Sequence, residues 1–253
     1  MSISSFLTKK FLKSLFFPAH NRGKALPKGL IRLLKKQPGF WDLPELPEIG
    51  SPLSNSGLIH DAQISISKKV NTKKCFFGVN GASGLIQSGI IAMANPGEYI
   101  LMPRNVHISV IKACALQNII PIFFDIEFSR VTGHYMPITK KWFTNVFNNI
   151  DFDNSKIAGV ILVSPYYQGY ATDLEPLIKI CHLHNLPVLV DEAHGSYFLF
   201  CENFNLPKSA LRSKADLVVH SLHKSLNGLT QTAIIWHNGN LIEENKLIKS
   251  INL

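Results

Sequence analysis

From about residue 73 onward, short runs that are apolar throughout alternate with longer stretches whose apolar residues recur at helical spacing. The runs KKCFFGV, EYILMP, IIPIFFDIE, KIAGVILVS, LPVLVDEAH, DLVVHS and TAIIWH read as buried strands. Between and after them, LIQSGIIAMAN, NVHISVIKACALQN, ITKKWFTNVFNNI, DLEPLIKICHLHN and IEENKLIKSI read as helices, with Asp173 placed as an N-cap. Apolar strands separated by helices predict an α/β fold: a mostly parallel sheet with helices on both faces, in three layers. Residues 1–70 are different, being poor in strands. They hold a basic helix at the start, a loop FPAHNRGKALPKG and a proline-rich stretch WDLPELPEIGSPL. We therefore expect a helix and wrapping segment over residues 1–70 and a large domain over 71–253.

Composition changes this picture little. The chain has 253 residues and a net charge of +9, but nine of its cations lie in the first 36 residues: Lys9, Lys10, Lys13, Arg22, Lys24, Lys28, Arg32, Lys35 and Lys36. The excess is local, so it argues only weakly for a nucleic-acid partner. Cys75, Cys114, Cys181 and Cys201 form no CxxC pair and read as free thiols of a cytoplasmic protein. No apolar run reaches membrane-spanning length. The start MSISSFLTKKFLKSLFF is read as an amphipathic docking helix, because its apolar part is broken by Lys13 and no small-residue cleavage site follows.

Open parallel sheets bind ligands beyond the carboxyl ends of their strands. The segments that follow the strands are NGASG, PRNVH, SPYYQGY, DEAHG and SLHK, all polar or glycine-containing. NGASG precedes a helix, and its amides and Ser83 can cradle a phosphate. Asp191 ends a buried strand and suits a helix cap, a structural ion pair or a cationic ring nitrogen. The spelling DEAH also occurs in helicases, but that reading needs a GxxxxGK[ST] loop, which this sequence lacks. Cys181, His182 and His184 read as a surface helix end rather than a metal site, since no fourth ligand stands at suitable spacing. A lysine (Lys224), an aspartate (Asp191), a phosphate turn and a flat histidine ring together suit pyridoxal 5′-phosphate.

The stretch VHSLHKSLNGLTQTA, from Val219 to Ala233, resembles the lysine signature of the Orn/Lys/Arg decarboxylase family, fold-type-I pyridoxal-phosphate enzymes. DEAHG at 191–195, RNVHIS at 104–109, NGASG, SPYYQGY and FPAHNRG resemble further family segments, so the likeness runs from about residue 16 to the end. It implies that Lys224 forms the internal aldimine, Asp191 pairs with the pyridine nitrogen and His107 stacks on the ring. It also places Ser83, the Gly84 amide, Ser221 and His223 around the phosphate, His194 on the ring's hydroxyl side and Ala193 against its other face. Ala19, Asn21, Ile108 and Tyr166 depart from the family pattern; Tyr166 stands where Thr is common.

The resemblance implies decarboxylation of arginine, lysine or ornithine, with a lean to the first two, in a homodimer or larger homo-oligomer. It also implies that the chain lacks the C-terminal domain of such enzymes. A cofactor-binding remnant or one subunit of a split enzyme is therefore the alternative. A nucleic-acid binder is a third reading, motivated by charge alone; the leading reading involves neither nucleic acid, membrane nor metal.

Overall fold

A computed structural model describes residues 17–150, 156–201, 204 and 206–253. The basic helix expected at the start, with Lys9, Lys10 and Lys13, lies outside them. Two helices precede the sheet, α1 (Lys28–Leu34) and α2 (Leu58–Val70). The pattern of the chain does not predict α2, whose Ile59, Ile64 and Ile66 are β-branched and favour helix weakly. It packs on the edge strand β1 (Lys74–Gly78) and ends at Asn71 in a left-handed conformation.

The order then follows the expected alternation: α3 (Gly81–Met93), β2 (Tyr99–Pro103), α4 (Ile108–Leu116) and β3 (Ile120–Phe124). A two-residue hairpin follows, β4 (Phe128–Ser129) and β5 (His134–Tyr135), too short to leave a periodic signal. Next come α5 (Lys140–Asn148), β6 (Ile157–Val163), α6 (Leu174–Leu183) and β7 (Val188–Asp191). The chain closes with β8 (Leu217–Ser221), the one-turn α7 (Leu222–Ser225), β9 (Ala233–His237) and α8 (Glu244–Ile251). Asp173 does occupy the N-cap of α6, but its side chain makes no capping bond, whereas Thr139 accepts from the Trp142 N–H at the start of α5.

Among the described residues the main sheet has seven strands in the order β1-β9-β8-β7-β6-β2-β3. Every strand runs the same way except β9, which is antiparallel to both neighbours. The reversal has a simple cause: residues 222–232 are too few for the crossover that a parallel neighbour requires. Alternate strand residues feed two cores. Leu101, Val160, Leu162, Val188, Val190 and Val218 pack with Phe143, Leu174 and Leu177 of α5 and α6. Ile100, Met102, Ile161, Leu189, Leu217 and Val219 pack with Ile86, Ile90, Val110 and Leu247 of α3, α4 and α8. The three-layer α/β/α expectation is met. Gly89 lets α3 lie close on the sheet, since a Cβ there would stand 2.3 Å from Leu189 Cδ1.

Candidate active site

The segments after β1, β2, β6, β7 and β8 converge on one cavity of about 140 Å³. Ser83, His107, Asp191, Ala193, His194 and Lys224 line it, together with Asn105, Pro165 and Tyr167. Gly84, Ser221 and His223 do not line it. Gly84 faces a larger cavity on the outer side of α3. Ser221 is buried and shares a hydrogen bond of 3.2 Å between its Oγ and His223 Nδ1, beside the lysine turn.

Lys224 sits in α7, and that short turn is held from three sides. The Leu222 N–H donates to the Thr232 carbonyl, 3.0 Å, and the Ala19 N–H donates to the His223 carbonyl, 2.8 Å. Ser225 shares a hydroxyl contact with Ser196. Lys224 Nζ lies 3.0 Å from His194 Nε2. Partial burial lowers the pKa of the ammonium, and the Asp191 charge opposes that shift. Burial, with the positive charges of Lys224, His107 and His223, lowers His194 from 6.5 to about 4. The imidazole is therefore neutral at pH 7 and its Nε2 accepts from the lysine.

This gives a pH dependence with a defined sign. Between about pH 6.5 and about pH 4 the unfolded chain takes up a proton at His194 before the folded one does, so this group weakens the fold as pH drops. His194→Gln should flatten that limb of the stability curve, measured by thermal unfolding across the same range.

Asp191 ends β7 with 6% of its surface exposed, and its Oδ1 accepts from the Ala193 N–H at 3.1 Å. Burial raises its pKa, opposed by that N–H and by the Lys224 charge. His107 is the N-cap of α4, where its Nδ1 accepts from the Ser109 N–H at 3.1 Å. That bond fixes the tautomer and holds an exposed ring at the cavity. At the first turn of α3, Asn80 makes no side-chain cap, and Ala82 and Ser83 line the cavity. Gly81 supplies the left-handed turn, φ 67°, that brings this helix end inward. An uncapped helix N-terminus facing a cavity suits an anion.

Below the cavity floor lies a buried polar chain. Trp236 Nε1 donates to His220 Nδ1 at 2.9 Å, so His220 Nε2 carries the proton and donates to Glu192 Oε2 at 2.7 Å. Glu192 Oε1 accepts from the Ala210 N–H at 2.8 Å.

Several site residues have weak or no signal in the sequence. Tyr167 stands in the strand-end segment SPYYQGY, where its neighbour Tyr166 draws attention instead; Tyr166 is buried and does not line the cavity. Phe17 reaches His194 from the far end of the chain, which no local pattern reveals. Away from the site, His182 Nε2 bonds Asp216 Oδ2 at 2.9 Å at the end of α6.

Residues 17–253 match the family described as "Orn/Lys/Arg decarboxylase, major domain". An arginine decarboxylase of Bacillus cereus is 31% identical over 218 residues, covering 86% of this chain and 46% of the relative. An arginine decarboxylase of Bacillus subtilis is 29% identical over 230 residues, covering 91% and 46%. The chain thus spans about half the length of the curated relatives it matches. Among solved structures, the constitutive lysine decarboxylase of E. coli superposes with a TM-score of 0.73 at 17% identity, over 98% of this chain and 36% of that one. At that identity the likeness speaks for the fold.

Proposed function

From the premise that this chain belongs to the Orn/Lys/Arg decarboxylase family, we propose that it uses pyridoxal 5′-phosphate to remove the α-carboxylate of a basic amino acid. The observation that carries this reading is the convergence of Lys224, His194, Asp191 and His107 with the uncapped start of α3 on one cavity. The donor set fits the cofactor. Lys224 offers an amine for its aldehyde, and Asp191 offers a buried carboxylate for its ring nitrogen. The α3 amides and Ser83 offer a seat for its phosphate, with Gly84, Ser221 and His223 close behind. His107 and Ala193 would flank the ring. When bound, the cofactor supplies an electron-accepting ring that stabilises the charge left as carbon dioxide departs.

The chain's own residues prepare that chemistry. His194 Nε2 accepts from Lys224 and orients its amine, while partial burial lowers the lysine pKa toward the neutral form. Asp191 is destabilised as an isolated anion by burial, and a protonated ring nitrogen beside it would offset that cost. Arginine and lysine are the favoured substrates, following the names of the relatives. The test is release of carbon dioxide and amine from arginine, lysine and ornithine by the purified chain with added cofactor. Product from arginine or lysine is expected; cofactor binding with no product from any of the three would refute activity for this chain.

The 46% coverage of the relatives supports a second reading, a cofactor-binding unit that needs further protein to complete its substrate site. A chain that binds cofactor, releases no product alone and becomes active when mixed with the remaining part of a relative would favour it. We further place the protein in the cytoplasm as a self-associating enzyme. Three buried free cysteines support that location, and among the described residues no helix is long and apolar enough to cross a membrane. Its size in solution by light scattering tests the self-association.

A further inference from the structure

The segment from Phe17 to Leu26 meets the site at its near end, through Phe17 and Ala19, although it lies far from the other site residues in sequence. It is tightly folded on itself. The Asn21 N–H bonds the Pro18 carbonyl, the Ala25 N–H bonds the His20 carbonyl, and His20 Nδ1 accepts from the Gly23 N–H at 2.9 Å. Leu26, 9% exposed, anchors its far end. At its near end the Ala19 N–H donates to the His223 carbonyl, the peptide just before Lys224. The Phe17 ring is 48% exposed, so burial in the core does not account for its position. It stands edge-on to His194, with centroids 5.8 Å apart and planes at 64°. Tyr167 meets the same imidazole at 5.5 Å and 79°. Two ring edges therefore hold the imidazole whose Nε2 receives Lys224.

Resting on the cofactor reading above, we propose that Phe17 is a positioning residue: its ring, brought in by the segment tied to His223, holds His194 in the orientation that presents Lys224 to an aldehyde. A purely surface-covering role for Phe17 would leave the lysine's reactivity untouched.

The experiment mixes the full chain with pyridoxal 5′-phosphate and follows the growth of the visible absorbance band, with thermal melting as a check on folding. Phe17→Ala should slow band growth about threefold to tenfold, the range that edge-to-face ring contacts supply, with melting unchanged. Phe17→Tyr should restore the wild-type rate. In a His194→Ala background, Phe17→Ala should have no further effect. Band growth at the wild-type rate in Phe17→Ala, or the same slowing without His194, would overturn the proposal while leaving the cofactor reading intact. Absence of any band in the wild-type chain would instead overturn the cofactor reading and this inference with it.

Discussion

Lys224→Ala should abolish the visible absorbance band that develops when the wild-type protein is mixed with pyridoxal 5′-phosphate. Lys224 is the one lysine lining the cavity among the described residues. The rest of the donor set is unchanged by the substitution, so cofactor can still dock through Asp191 and the α3 start, but no amine meets its aldehyde. The expected loss is complete rather than graded. Folding should survive. The Nζ group has His194 as its hydrogen-bond partner, and its partial burial disfavours the charged form. Alanine removes that desolvated charge and is itself a good helix former within α7. The same change takes a compensating charge from buried Asp191, so the melting temperature should hold or fall slightly. A band of wild-type intensity in Lys224→Ala would mean that another lysine reacts and that the cavity has been misassigned.

Glu192→Ala should cost the largest amount of stability, about 2–6 kcal/mol, since it leaves two buried donors without partners at about 1–3 kcal/mol each. Glu192 and His220 are both fully buried and joined at 2.7 Å. Deleting the carboxylate strands the His220 N–H, whose other ring nitrogen is already engaged by Trp236, and it strands the Ala210 amide. Water cannot reach either group, so the desolvation cost is kept without its compensation. This chain ties β7, β8 and β9 together directly beneath Asp191 and Ser221, so its loss loosens the floor of the site. Glu192→Gln keeps an acceptor of the same shape and should cost less than Glu192→Ala. Urea unfolding followed by tryptophan fluorescence measures both. A loss under about 1 kcal/mol for Glu192→Ala would show that the network contributes little.

The sequence carries the sheet because its strands are buried on both faces and so are written as unbroken runs such as VILV at 160–163 and VLV at 188–190. Residue type also marks the site wherever a segment directly follows a strand, which is how Asp191, His107 and Lys224 are found. Three features escape this logic. The direction of β9 is set by the length of the connection before it, not by its own residues. Glu192 and His220 look like members of the site by position, yet strand alternation turns them to the opposite face from Asp191 and Ser221. Phe17 is placed by a tertiary hydrogen bond at Ala19, and no pattern near it in the chain signals a site. Gly84, Ser221 and His223 follow from family likeness, and in this structure they stand beside the cavity rather than on its wall.

Borohydride reduction of the chain with the cofactor, followed by peptide mass mapping, tests whether this cavity holds pyridoxal 5′-phosphate on Lys224. The reduced adduct is expected on the single peptide that carries Lys224, at close to one per chain. Adduct spread over surface lysines, or none at all, would contradict that assignment.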